Sequence, residues 1–396
     1  MKFTFVFDGL GCGGIERVGV DYCNALSRRG HAISVVNLVP ERNEFVCQLD
    51  SGIDYMEKSY PKRLAPERYC TLIKRKSWGR YAYPLVYLAA TIATTLKKPA
   101  LKRGIPEADI AVAMSGHYND LTFVAKGVAP AKAAIAWLHG GIASYLLISD
   151  GFMSLYKRIR NLVCLVDEGN EEFAYTNPYL GFNMRKIYNF VSAGEKPYSE
   201  EKVERYRRDY GYFVLMVSRF DYPYKDHFTV IRALPILKER YGLEPKVVFV
   251  GDGASMGAAK GLASELGVTG QVVFAGFDPE PASYYKACKL VVQASAATEG
   301  LPTTILEGMA FGKPVVATDV RTGPREIMKD GECGLLCRFM DPESLAGKIA
   351  LLLTDEDAYK RYADAGKKRV EDFSEDKSID SLLNFAESIL DGKCEA

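Results

Sequence analysis

The sequence predicts an α/β chain made of two doubly wound parallel sheets in tandem, and three observations predict it. Short apolar runs alternate with helical periodicities through both halves of the 396 residues. Glycine-rich turns follow several of those runs. A stretch rich in charge, from Ser192 to Asp209, separates the halves and has the composition of a linker. The length leaves room for two separate cores.

In the first half, Phe3–Phe7 is the opening strand, too short and too soon followed by glycines for a signal peptide. Gly14–Arg29 follows as a helix stopped by Gly30, then Ala32–Asn37 as a strand. Ile110–Met114 and Ala134–Leu138 are further strands. In the second half the strands are Phe213–Ser218, Lys246–Val250, Gln271–Ala275, Leu290–Gln293 and Val315–Thr318. Asp376–Leu390 closes the chain as an amphipathic helix. We therefore expect one domain over 1–190 joined by 376–396, and a second over 191–375. In such sheets, ligands sit beyond the carboxyl ends of the strands.

Composition narrows the classes of function. A formal net charge of +1 gives no global field for nucleic acid. Nine cysteines are scattered and histidines number four, so Cys333 and Cys337 lack the partners of a zinc site. Reduced thiols in a cytoplasmic protein are the expectation. No run of about 18 apolar residues is present, and the nearest, Tyr81 to Leu96, contains Pro84. Residues 58–104 hold twelve Lys or Arg against the single acid Glu67, with Trp78 and five tyrosines interleaved. That mixture suits the surface of an anionic membrane, the alternative being a solvated helix pair with unbalanced charge.

The chemistry concentrates in Glu299-Gly300-Leu301-Pro302-Thr303-Thr304-Ile305-Leu306-Glu307. Pro302 stands where a helix begins, Gly312 where it stops, and Val315–Ala317 is a buried strand. A helix start offers unpaired N–H groups and the positive end of a dipole, which hold phosphate. The flanking carboxylates repel phosphate but accept hydrogen bonds from hydroxyls. Phosphate and hydroxyls in one pocket describe a sugar nucleotide. Arg219 and Lys225 follow another strand, where a guanidinium fork and a point charge clamp a pyrophosphate. Gly251 and Gly276-Phe277 end two more strands, where exposed backbone reads a base edge or simply makes a turn. His139 stands at a strand end in the first half; a lone histidine is more often structural, and its place at the expected cleft brings a catalytic role level with that. His31, His117 and His227 are given no role. Asp355-Glu356-Asp357 mimics a D-x-D metal motif, but its setting is a helix N-cap followed by acids in the first turn.

Gly9-Leu10-Gly11-Cys12-Gly13-Gly14 contains G-x-G-x-x-G between a strand and a helix. A dinucleotide site also needs an acid at the end of the second strand, and here that strand ends at Asn37. A nicotinamide-dependent oxidoreductase and a non-catalytic sugar-nucleotide binder remain the alternatives.

Together these residues resemble a retaining glycosyltransferase of family four. The resemblance rests on Glu299 through Glu307 with Gly312-Lys313-Pro314-Val315-Val316-Ala317, on Arg219 and Lys225, and on Gly13-Gly14-Ile15-Glu16-Arg17. His139 and Gly323-Pro324-Arg325-Glu326-Ile327 add to it. It covers nearly all of the second half and only patches of the first; residues 41–130 follow no pattern of the family. It implies the GT-B fold, two Rossmann-like domains facing across a cleft, with the last helix crossing back to the first domain. It implies a nucleotide-sugar donor, a uridine diphosphate sugar by resemblance alone, with no metal or other cofactor. The implied catalytic set is Arg219, Lys225, Glu299 and His139. The implied donor-binding set is Gly13, Gly14, Gly251, Gly276, Phe277, Gly300, Leu301, Pro302, Thr303 and Glu307. The expected acceptor is a saccharide, lipid-linked and met at the inner membrane surface through residues 58–104, by a cytoplasmic protein peripheral to that membrane.

Overall fold

The computed structural model describes residues 1–11, 13–75, 77–116, 119–140, 151–167, 181–191, 197–297, 299–320 and 323–392. Cys12, His117, Gly141 and residues 192–196 of the proposed linker lie outside the described residues. The chain divides into two units, Met1–Tyr188 with Ser378–Ala396, and Asn189–Lys377.

The first unit runs β1 (Lys2–Phe7), α1 (Gly14–Arg28), β2 (Ala32–Asn37), β3 (Asp54–Glu57), α2 (Thr71–Arg75), α3 (Gly79–Lys102), β4 (Ala108–Ala113), α4 (Asn119–Ala125), β5 (Ala131–Trp137), α5 (Phe152–Ile159), β6 (Asn161–Cys164) and β7 (Asn183–Lys186). The second runs α6 (Glu200–Tyr210), β8 (Val214–Val217), α7 (His227–Tyr241), β9 (Val247–Val250), α8 (Met256–Glu265), β10 (Val272–Gly276), α9 (Ala282–Ala287), β11 (Leu290–Gln293), α10 (Thr303–Ala310), β12 (Val315–Thr318), α11 (Pro324–Met328), β13 (Leu335–Cys337), α12 (Pro342–Thr354) and α13 (Glu356–Val370). Helix α14 (Glu375–Leu390) belongs to the first unit from Ser378 onward.

Both sheets are parallel. The first has the order β3-β2-β1-β4-β5-β6-β7 and the second β10-β9-β8-β11-β12-β13. The central strands are apolar on both faces because helices cover both, as β1 shows with Phe3, Phe5, Val6 and Phe7 all buried. Phe5 stands opposite Val35 on one side and Val112 on the other. Strand order reverses between β1 and β4 in one sheet and between β8 and β11 in the other. At such a reversal, neighbouring loops leave toward opposite faces and open a crevice at the carboxyl edge.

The predicted strands are present within a few residues of their expected ends. Strands β3, β6, β7 and β13 were not predicted. Three of them lie at sheet edges, where half-buried sequences such as Asp54–Glu57 and Asn183–Lys186 carry no apolar run. The linker reading of Ser192–Asp209 requires correction, because α6 occupies Glu200–Tyr210. Ser199 Oγ accepts the Lys202 N–H at 3.3 Å, acids fill the first turn and Arg207 and Arg208 the last. Only Val203 and Tyr206 are buried, and the Tyr206 ring stacks on Tyr284 at 4.1 Å. Two well-packed residues anchor a helix whose composition is otherwise that of a solvated connection.

Candidate functional site

In the second unit the reversal lies between the loop after β8 and the loop after β11. Main-chain bonds stitch these loops together: Asp226 N donates to Ala294 O at 2.9 Å and Ala296 N to Pro223 O at 3.0 Å. Lys225 and Glu299, expected separately from sequence, meet here. Lys225 Nζ donates to Glu299 Oε1 at 2.5 Å, with side chains 23% and 12% exposed. The same carboxylate oxygen accepts Gln293 Nε2 at 3.0 Å and the Ser295 hydroxyl. Thr318 Oγ1 in turn accepts Ser295 N at 2.9 Å and donates to Ser295 O at 3.1 Å. Glu299 is therefore held by β11, by its following loop and, through Ser295, by β12. Sequence reading missed Gln293, Ser295 and Thr318; their signal was a polar residue at or just past the end of each buried strand.

Arg219 stands apart from that cluster. Its side chain is 68% exposed and Nη2 donates to Asp221 at 3.0 Å. An exposed pair of this kind contributes about 1 kcal/mol or less, so the guanidinium is cheaply redirected toward a ligand. Gly251 and Gly276 join the ends of β9 and β10, with Gly251 N donating to Gly276 O at 2.8 Å. Gly251 has φ +146° and a Cβ there would lie 2.1 Å from Ser218 O, so the neighbouring loop requires glycine. Phe277 is exposed beside them. Leu301 and Pro302 are buried, and Thr303 opens α10 with no side-chain cap, leaving the first amides of the helix to other acceptors. Gly300 carries the loop at Gly323, where a Cβ would lie 1.9 Å from Gly300 O. Glu307 is half-buried one turn into α10.

His227, given no role from sequence, lies under the same loop. It stacks on Phe220 at 3.7 Å, and its Nε2 meets Ser218 Oγ at 3.1 Å. Burial, with the nearby Lys225 charge, pushes its pKa down to about 3. The folded protein holds this ring neutral while the unfolded chain protonates it below about pH 6.5. The stability it confers is present above that pH and is lost as pH falls toward 3. Between pH 6.5 and 5 the loss is about 2 kcal/mol, at 1.36 kcal/mol per pH unit. Urea unfolding at those two pH values should show that extra loss in the wild type and not in His227→Asn. Equal losses would sink the assignment.

In the first unit, Gly13 caps α1 by backbone alone, and a Cβ on Gly14 would meet nothing within 4 Å. A Cβ at Gly13 would strike Glu16 Oε2 at 2.1 Å, and one at Gly9 or Gly11 would strike the Arg42 side chain, at 3.0 and 2.8 Å respectively. Gly9 and Gly11 make room for Arg42, which reaches Glu16 at 3.1 Å. Asn37, standing where a dinucleotide fold places its ribose acid, gives its amide to Arg42 O and Tyr55 and accepts Val39 N. His139 follows β5, and its Nε2 donates to Met114 O at 2.8 Å, which places the proton of the neutral ring on Nε2. Asp355 caps α13 by accepting Ala358 N at 2.9 Å. Among the described residues no group of three or more His, Cys, Asp or Glu stands together as metal ligands. Cys333 and Cys337 are free thiols.

Residues 199–369 match the family model of glycosyl transferases group 1. EpsD of Bacillus subtilis (strain 168) is 30% identical over 236 residues, 58% of this chain and 61% of its own, so the match spans less than two thirds of that relative. A Campylobacter jejuni N-acetyl-D-galactosaminyltransferase, named for a saccharide on diphospho-undecaprenol, is 24% identical over 398 residues and 94% of each chain. The crystal structure of Anabaena HepE in complex with UDP and glucose superposes with a TM-score of 0.76 at 19% identity, covering 98% of this chain and 100% of that one. The fold is GT-B, as the sequence led us to expect.

Proposed function

Taking the glycosyl transferases group 1 match over residues 199–369 as premise, we propose that the protein transfers a sugar from a uridine diphosphate donor to a saccharide acceptor, with retention at the anomeric carbon. The observation that carries this reading is the Lys225–Glu299 pair in the crevice between β8 and β11. An ammonium has three donors, and Glu299 takes one, so Lys225 is pre-aimed with donors to spare for a phosphate oxygen. Glu299 is a carboxylate, which accepts hydrogen bonds from sugar hydroxyls. Arg219 supplies a second cation, and the open start of α10 at Pro302–Thr303 supplies amides and a dipole.

The donor's anomeric C–O bond breaks and its electron pair passes to the diphosphate. The acceptor oxygen bonds to the anomeric carbon on the same face, and its proton goes to the departing diphosphate. Lys225, Arg219 and the amides near Pro302 take the growing negative charge, so the step needs no metal. Groups aimed in advance at developing charge are worth about 3–4 kcal/mol each. Glu307 holds the ribose hydroxyls, and the backbone at Gly251, Gly276 and Phe277 faces the base; Gly300 and Leu301 shape the sugar pocket. The backbone at Gly13 and Gly14 approaches the donor phosphate or the acceptor, and His139 orients the sugar or the acceptor hydroxyl through a hydrogen bond. A panel of nucleotide sugars tests this by thermal shift and by slow hydrolysis without acceptor. A uridine diphosphate sugar should raise the melting temperature and be hydrolysed. A protein that binds such a sugar and never turns it over is a binder and ends the enzyme reading.

The relatives' lipid-linked saccharides favour an acceptor at the cytoplasmic face of a membrane. Helix α3 supports that placement. Trp78, Tyr81, Leu85, Leu88, Ile92 and Leu96 are all at least half exposed and recur at helical spacing along it. Arg80, Lys97, Lys102 and Arg103 accompany them on the exposed surface. An apolar stripe with basic neighbours lies in the plane of an anionic bilayer. No described helix is long and apolar enough to cross one. Binding to phosphatidylglycerol vesicles that weakens with salt and is lost in Leu85→Glu/Leu88→Glu is the expected outcome. A doubly substituted protein that still binds removes α3 from the interface.

A further inference from the structure

The first unit has a reversal of its own, between the loops after β1 and β4, and a cavity of about 40 Å³ lies there. Asp8, Gly9, Ile15, Glu16, Arg42 and Ser115 line it. A water needs roughly 10–15 Å³ of such space, so the cavity admits one hydroxyl or hydroxymethyl group and little more. Its walls are built with care. Asp120, fully buried on α4, accepts Ser115 N and Oγ, each at 2.5 Å, which ties down the loop after β4. Asn119 Nδ2 donates to Asp8 Oδ1 at 2.8 Å, while Asp8 Oδ2 takes no hydrogen bond among the described residues. The flanking charges, Glu16 and Arg42, are paired with each other.

We propose that this crevice is a subsite for the acceptor saccharide, in which Asp8 accepts a hydrogen bond from a hydroxyl other than the attacking one. The inference rests on the transferase reading and adds to it a residue that no motif marked. A charged ligand fits poorly. Asp8, Glu16 and Asp120 oppose an anion, while Arg42, Arg68 and Lys62 oppose a cation. A neutral hydroxyl fits, because flanking charges of both signs penalise either kind of ion and a hydroxyl still donates to the Asp8 carboxylate.

The subsite should titrate in the neutral range. Burial and the Asp120 charge push the Asp8 carboxyl up to about 7, against the pull of Arg68, Lys62 and the Asn119 bond. Arg42 and the Glu16 paired to it face the same crevice. Asp8 is thus charged, and the better acceptor, on the alkaline side of that value.

The probes are octyl glycosides of glucose, galactose, N-acetylglucosamine and N-acetylgalactosamine, with UDP release as the readout. The wild-type KM for the glycoside should fall as pH rises through about 7. Asp8→Asn should raise that KM about tenfold at pH 8 and abolish the pH dependence, while its dissociation constant for UDP stays that of the wild type. Lys62→Ala, at an exposed position, should move the midpoint to higher pH. A wild-type KM and pH profile in Asp8→Asn, or an unmoved midpoint in Lys62→Ala, overturns the inference and leaves the transferase reading standing. A wild type that turns over no uridine diphosphate sugar overturns both.

Discussion

Replacing Lys225 by alanine is expected to lower kcat/KM with a uridine diphosphate sugar by on the order of a hundredfold or more. Two effects act in the same direction. The variant loses the cation aimed at the departing diphosphate. It also leaves the Glu299 carboxylate, only 12% exposed, without its counter-charge. That carboxylate keeps Gln293 and Ser295 as donors, so it stays in place. Arginine is no remedy at this position, because its planar fork cannot both follow the short bond to Glu299 and present spare donors in the lysine's geometry. Steady-state rates with the donor found by the nucleotide-sugar screen decide it. Turnover near that of the wild type would refute the phosphate role of Lys225.

The second large effect concerns stability. Gly251→Ala sets a methyl 2.1 Å from the Ser218 carbonyl at a φ of +146°. Backbone, not a flexible side chain, stands in the way, so the loops after β8 and β9 must part. We expect a loss of about 3 kcal/mol, seen as a drop in melting temperature of roughly 6–12 °C. Gly257→Ala is the matched comparison. It lies inside α8 with nothing within 4 Å of the new methyl, and should gain about 0.5–1 kcal/mol. The same chemical change thus carries opposite signs at two positions six residues apart. If both variants melt alike, the close approach of the loops is not what holds Gly251.

How far these features could be read without coordinates depended on their range in the chain. A short apolar run closed by a polar or glycine-containing turn is a local pattern, so the ends of β8, β9 and β11 were legible, and with them Lys225 and Glu299. That the two would touch was not, since 74 residues separate them and only the reversal of strand order brings their loops together. The G-x-G-x-x-G run was legible as letters and misleading as chemistry. What decides its meaning is Arg42, a residue from beyond the next strand that fills the space above Gly9 and Gly11. Helix α6 was hidden because two buried residues suffice to fasten it. Asp8 was hidden for another reason: an acid after a strand is common, and only the buried Asn119 and Asp120 around it make it unusual.

Helix α14 completes the core of the first unit. Ile379, Leu382 and Phe385 are fully buried, Asp380 pairs with Arg29, and Arg185 covers the Phe385 ring at 5.8 Å. Those partners come from the amino-terminal half, yet α14, from Ser378 onward, follows the whole second unit in the chain and is synthesised after it. The nascent first unit lacks the cover for its apolar groove until the entire second unit has been synthesised. A premature stop codon before residue 378 therefore yields no serviceable half-protein, because it withholds a piece of the part made first.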